Sequence, residues 1–87
     1  MVLSDFRQRA AKQLEDLGGT ATAAQRYDEA ICLYTIALSL KPHPSEGILI
    51  KRSKVYLTVE SWEQARDDAH QVHYFVADRS ILLTHQR

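Results

Sequence analysis

The sequence lacks the features that mark several large classes of protein. Cys32 is the only cysteine, so no disulfide can form within the chain, and we expect a reducing compartment, the cytoplasm. No apolar run approaches the roughly 18–20 residues that cross a bilayer, and the first ten residues contain no apolar signal-peptide core. We therefore expect neither a membrane-spanning protein nor a secreted one.

An excess of charge of one sign is also missing. The 11 lysines and arginines are balanced by 11 aspartates and glutamates, so the formal net charge is zero at pH 7. Such a chain has no long-range field that would attract nucleic acid or an anionic membrane, and DNA-binding modules normally carry a clear basic excess. We expect neither nucleic acid nor membrane as a partner.

Motifs for catalysis and cofactor binding are absent as well. The sequence contains no glycine-rich phosphate loop, no nucleophile elbow and no carboxylate pair in a catalytic context. Asp67, His70 and His73 lie three residues apart, but that spacing turns around a helix and would not converge on one metal ion. Cys32 has apolar neighbours, so we expect a small core residue. The sequence therefore predicts no enzyme, no metal site and no cofactor.

What the sequence does contain is helical periodicity. From Ser4, a candidate N-cap, apolar and small residues recur every three or four positions and continue through Gly18 and Gly19. Because a glycine costs about 1 kcal/mol relative to alanine inside a helix, we expect another helix to approach too closely there for a side chain. The predicted buried stripe consists of Phe6, Ala10, Leu14, Leu17, Ala21 and Ala24.

Three further helices are predicted, and no segment alternates with period two for long enough to form a strand, so the fold class is all-α. The second helix runs from about Tyr27 to Lys41, the third is capped by Ser45, and the fourth is capped by Ser61. The fourth helix is expected to be polar outside one narrow stripe, which consists of Trp62, Ala65, Ala69 and Val72.

The second helix is apolar on two sides. Since an ordinary surface helix needs only one buried stripe, we expect this helix to lie between two neighbours. One side, predicted to face the first helix, consists of Ala30, Tyr34 and Ala37; the other, predicted to face the third, consists of Leu33, Ile36 and Leu40.

A shift of 35 residues lays the second pair of helices over the first, and the aligned residues share the motif of a known family. The first copy contains Leu17-Gly18, then Tyr27-Asp28-Glu29-Ala30, Ala37 and Pro42. The second copy keeps Trp62 and Ala65 but has Arg52-Ser53 and Ala77 at the other positions. Over about residues 11–77 the chain resembles the tetratricopeptide repeat (TPR) family.

The resemblance implies a single domain, residues 1–87, built as a short α-solenoid of two antiparallel helix-turn-helix repeats with a C-terminal capping or extended helix. Repeat 1 covers about 11–44, repeat 2 about 45–78, and a tail covers 79–87. The family is known for scaffold proteins that hold a partner peptide or helix in a groove lined by the first helices. Carried over by alignment, the partner-binding residues are Lys12, Glu15, Thr22, Ile50, Lys51, Lys54 and Leu57.

The apolar stretch YFVADRSILL, residues 74–83, allows three interpretations: a longer fourth helix, a fifth helix capped by Asp78, or a surface for another chain. At least three repeats are usually needed for a stable array, so two repeats look short. The alternative function is therefore self-assembly through outer helix faces and the tail, with Tyr74, Phe75, Ile81, Leu82 and Leu83 as possible oligomer contacts.

Overall fold

A computed structural model describes residues 2–41 and 45–72, and these residues form four helices without a strand, which confirms the all-α class. The helices are α1 (Val2–Ala23), α2 (Tyr27–Ser39), α3 (Glu46–Thr58) and α4, residues 62–72. They form two stacked antiparallel hairpins. None of the described helices is both long and apolar enough to cross a membrane. The five possible oligomer contacts on the tail lie outside the described residues.

The helix ends agree only partly with the sequence. Ser45 caps α3 as predicted, because its Oγ accepts a hydrogen bond of 3.4 Å from the backbone amide of Ile48. Ser4 lies inside α1, so the predicted N-cap is wrong: the helical backbone continues to Val2. The second helix ends before Lys41, because its last turn tightens to a backbone bond from Lys41 N to Leu38 O, 3.2 Å, ahead of Pro42.

The turns of the two hairpins are built alike, 35 residues apart. Gln25 and Glu60 hold the left-handed conformation, with φ of 64° and 62°. The amide that follows each of them reaches back five residues, as in a Schellman motif. These bonds are Arg26 N to Ala21 O and Ser61 N to Tyr56 O, both 2.8 Å. The backbone thus repeats with the period seen in the sequence.

The core is shared by the first three helices. Ala30, Tyr34 and Ala37 of α2 are buried in one cluster with Ala21 of α1 and with two residues of α3, Ile48 and Val55. This confirms the side of α2 that was predicted to be buried. A Cβ on Gly18 would lie 2.6 Å from Cε1 of Tyr34, so the predicted close approach at this glycine is confirmed, and a side chain makes it.

Several predicted core residues are exposed. Phe6 and Leu17 of α1 are 64% and 54% exposed, and Ile36 of α2 is 45% exposed. The side of α2 that meets α3 carries Thr35 and Leu38 instead, which line one depression with residues of α3. The predicted stripe of α1 was wrong at its outer residues because α2 and α3 both contact this helix from the side of its small residues. Those small residues are Ala11, Gly18 and Ala21.

Cys32 and the fourth helix also depart from the predictions. Cys32 is exposed, so its assignment to the core is wrong; α2 turns this residue away from the buried alanines. In α4, Ala65 is buried, but Trp62 is 60% exposed and Ala69 is exposed. The buried partner of Ala65 on this helix is Asp68, which is 2% exposed. The stripe predicted for α4 is therefore wrong at two of its four residues.

Candidate functional site

A depression of about 150 Å³ lies between the two first helices of the hairpins, α1 and α3. Buried Tyr34 and Val55 are among the residues that line it, and they supply its apolar surface. Polar side chains complete the lining: Thr22 from α1, and Lys51, Lys54 and Thr58 from α3. We call this depression the groove. It brings together three of the predicted partner-binding residues, Thr22, Lys51 and Lys54.

Lys51 is held within the molecule by Glu15. Its Nζ lies 2.5 Å from Oε2 of Glu15 and donates a hydrogen bond across from α3 to α1. This hydrogen bond raises the pKa of Lys51 above its ordinary value of 10.5, against a smaller opposing effect of desolvation. Lys51 is therefore charged at neutral pH, and its charge is already balanced by a carboxylate of the same chain.

Lys54 differs from Lys51, because it forms no ion pair with any side chain of the described part of the protein. It also borders a second depression, of about 240 Å³, whose other lining residues are Ile50, Ser53, Ala69 and Val72. A cationic side chain thus lines both the groove and a mostly apolar neighbouring depression. Leu57, two turns after Ile50, is 48% exposed on the same side of α3.

Lys12 is separated from these residues. Its Nζ lies 3.2 Å from Oδ1 of Asp16 in an exposed pair on α1, and it lines a different depression with Asp5, Gln8 and Arg9. Of the seven predicted residues, three line the groove. Glu15 joins them through its ion pair, Ile50 and Leu57 lie beside them on α3, and Lys12 lies elsewhere.

A buried ion pair between α3 and α4 was missed in the sequence. Arg52 donates two hydrogen bonds to Asp68, from Nε at 2.7 Å and from Nη2 at 2.6 Å. Its Nη1 donates to Oγ1 of Thr35 on α2 at 3.1 Å, and its guanidinium lies 5.7 Å from the ring centre of Tyr56. The hydrogen bonds to Asp68 raise the pKa of Arg52. One side chain therefore connects three helices.

The sequence held a signal for this pair. Asp68 was placed on the polar surface of the fourth helix, and Arg52 was noted only as a departure from the repeat motif, because charged residues are exposed by default. The 35-residue shift, however, places Arg52 at the position of Leu17 and Asp68 at that of Leu33. When two residues of opposite charge replace two apolar residues at matching positions on adjacent helices, the replacement indicates an ion pair.

The two repeats also differ at a pair of contacting positions: the first hairpin has a glycine and a tyrosine there, and the second has two small residues. In the first hairpin, Tyr34 packs against Gly18. The equivalent residues of the second hairpin are Ala69 and Ser53, and the hydroxyl of Ser53 donates to the carbonyl of Ala65 at 3.2 Å. Where the tyrosine is absent, the glycine is not required. The two hairpins therefore solve the same packing problem in different ways.

The residues considered for metal binding are not grouped. Asp67 and His70 are exposed on α4, and His73 lies outside the described residues. Within residues 2–41 and 45–72, no three histidine, cysteine, aspartate or glutamate side chains are placed so that they could hold a metal ion.

Comparison with known proteins gives no relative: no family model, no curated protein and no solved structure matches the chain. The function of the protein is therefore inferred from the geometry described above.

Proposed function

We propose that this protein is a TPR-like, two-repeat scaffold of the cytoplasm that binds a segment of a partner protein in the groove, without enzymatic activity. The 35-residue period supports this proposal at two levels. It occurs in the residues that pack between the helices and in the backbone bonds of the two hairpin turns. Stacked hairpins of this kind present their first helices on one face, which is where the groove lies.

The observation that carries the proposal is the position of Lys54. Its ammonium has no ion-pair partner among the described side chains, and its side chain lines both the groove and the mostly apolar neighbouring depression. A matching partner segment carries a carboxylate for Lys54 and, next to it, an apolar side chain for Ile50 and Leu57. Lys51 contributes less, since Glu15 already balances its charge.

A co-chaperone role is not part of this proposal. Chaperone-binding members of the TPR family hold a C-terminal carboxylate with lysine and asparagine side chains. At the position that aligns with one of these lysines this protein has Glu15, a carboxylate that is bonded to Lys51. We therefore expect an acidic side chain within a partner segment as the ligand, rather than a free C-terminus.

The proposal is tested by selecting peptides on the full chain from a phage-displayed random library and measuring their affinity by calorimetry. We expect selected peptides to combine an acidic and an apolar residue. Lys54→Glu should weaken binding at least tenfold, because an attraction becomes a repulsion; tenfold corresponds to about 1.4 kcal/mol.

Lys12→Glu is the matched control, since it makes the same change of charge on an exposed lysine away from the groove. Its effect should stay within about twofold. Equal losses in the two variants would indicate a general electrostatic attraction, and no loss with Lys54→Glu would remove the groove as the binding site. Either result would contradict the proposal.

A further inference from the structure

One side of the first hairpin is apolar and open. Phe6 and Leu17 lie on the same side of α1, three turns apart, and both are more than half exposed. Ile36 of α2 is 45% exposed, and half-buried Leu33 and Leu40 lie on the same side of that helix. We call these five residues the leading face. Exposed apolar residues grouped in this way mark an interaction surface.

The second hairpin shows what such a face does in this protein. The equivalents of Leu17 and Leu33 are Arg52 and Asp68, and both are held in the stack between the hairpins. The equivalent of Gln13, which adjoins Leu17, is Ile48, which is 0% exposed in the shared core. The leading face therefore corresponds to a helix-packing face, and in the first hairpin its central side chains remain open.

The chemistry of the face decides which partner fits. The five residues of the leading face carry no charge, and the exposed pair of Arg26 and Glu29 lies at its edge, so the face complements another apolar face. The open side of α4 is a poor match, because charged and polar residues surround Trp62 there: Glu63, Gln64, Arg66, Asp67 and His70 are all exposed. The leading face of a second copy offers the same apolar residues in the same arrangement, as an isologous interface requires.

The size of the face fits a weak dimer. At 1.5 Å per residue, α1 with 22 residues is about 33 Å long and α2 with 13 residues about 20 Å long. With helices about 10 Å wide, the whole outer side of the two helices, which includes the leading face and the polar residues around it, covers about 500 Å² per copy, or about 1,000 Å² for a pair, near the lower limit of specific interfaces.

We propose that two copies of this protein pair through their leading faces around a two-fold axis, and that the pairing is reversible. The dimer contains four hairpins, two from each copy. This number is larger than the three repeats that helical arrays usually need for stability. The leading face shares no residue with the groove, so the paired state leaves the groove open. This inference is independent of the proposed partner binding.

The test is sedimentation equilibrium of the full chain from low micromolar to millimolar concentration, with Ile36→Lys as the variant. We expect a reversible monomer–dimer equilibrium in the parent protein. Ile36→Lys should raise the dissociation constant at least tenfold, because each copy then buries an added charge in an apolar interface.

Leu57→Lys is the control, because Leu57 is 48% exposed and so matches Ile36 in exposure, but lies on the groove side. It should change the dissociation constant by less than twofold. Circular dichroism at high dilution shows whether each variant folds, and if Ile36→Lys fails to fold, Leu17→Lys takes its place. A monomer at all concentrations, species larger than a dimer, or equal effects of the two variants would overturn the proposal.

Cys32 supplies a second measurement that reports on the face itself. It is exposed, is the only cysteine of the chain, and lies one turn before Ile36. A nitroxide attached there should show dipolar coupling between copies that disappears on dilution and in Ile36→Lys. A dimer without such coupling would place the contact elsewhere and contradict the pairing of leading faces.

Discussion

At the scale of single residues, the contact between Gly18 and Tyr34 is the most tightly constrained. The ring of Tyr34 is buried, and a Cβ on Gly18 would meet three of its carbons within 2.9 Å. Gly18→Ala would gain about 1 kcal/mol of helix propensity, but overpacking a filled core costs about 1–3 kcal/mol. Because a Cβ at 2.6–2.9 Å forces the buried ring to shift, we expect the cost to exceed the gain, with a net loss of stability of up to about 2 kcal/mol, measured by urea denaturation.

Gly19 provides the control for this prediction. A Cβ there would lie 3.9 Å from the hydroxyl oxygen of Tyr34, which is ordinary contact. Gly19→Ala should therefore stabilise the protein by about 0.5–1 kcal/mol through helix propensity alone. A loss of stability in Gly18→Ala together with a gain in Gly19→Ala would establish the close approach at Gly18. A gain in both variants would show that the Tyr34 ring moves to accommodate the added methyl group.

At the scale of helices, the pair of Arg52 and Asp68 attaches α4 to the rest of the stack. Asp68→Ala removes the partner of a guanidinium whose side chain is only 16% exposed. Since breaking a buried ion pair costs about 3–5 kcal/mol and Arg52 retains some access to water, we expect a loss near 3 kcal/mol by urea denaturation. Glu29→Ala, which breaks the exposed pair with Arg26, should cost less than about 1 kcal/mol.

The first hairpin suggests how this loss can be recovered. Its equivalents of Arg52 and Asp68 are Leu17 and Leu33, and replacing a buried ion pair by apolar residues is often neutral or stabilising. The double variant Arg52→Leu/Asp68→Leu should therefore lie within about 1 kcal/mol of the parent protein. Thr35 keeps a hydrogen bond in that variant, to the carbonyl of Ile31. A double variant as unstable as Asp68→Ala would show that the pair has a role that packing cannot replace.

The existence of the helices could be predicted from the sequence, but the faces they bury could only partly be predicted. Periodicity identified all four helices, and the small residues around Tyr34 identified the buried side of α2. In α1 the buried centre is formed by Ala11 and Gly18, which carry little hydropathic signal, whereas the more apolar Phe6 lies outside it. Hydropathy measures how apolar a residue is, and burial also depends on how many neighbours contact that side.

The candidate site, like the buried faces of the helices, could only partly be predicted from the sequence. Alignment with the TPR motif placed Thr22, Lys51 and Lys54 together, because the period of the repeat fixes which helices share a face. It could not show that Glu15 balances Lys51, since that contact depends on side-chain positions between residues 36 apart in sequence. The pairing of Arg52 with Asp68 left a signal in the repeat alignment, where both replace leucines, but its hydrogen bonds became visible only in the structure.

At the scale of the whole molecule, the shared core makes the two hairpins one cooperative unit. Ile48 belongs to the second repeat but is fully buried among core residues of α1 and α2, so within the described residues one buried cluster spans both hairpins. Ile48→Ala should cost about 2–5 kcal/mol. Native-state hydrogen exchange should show the same loss of protection at Tyr34 in repeat 1 and at Val55 in repeat 2, because both amides exchange through global unfolding.

Leu57→Ala is the matched control on the same helix, because Leu57 is 48% exposed and the variant creates no internal cavity. It should change protection at both amides by less than about 0.5 kcal/mol. If Ile48→Ala lowered protection at Val55 but left Tyr34 unchanged, the first hairpin would fold independently. The shared core would then be an ordinary interface between two units, and the leading face of the first hairpin would belong to a unit that is stable alone.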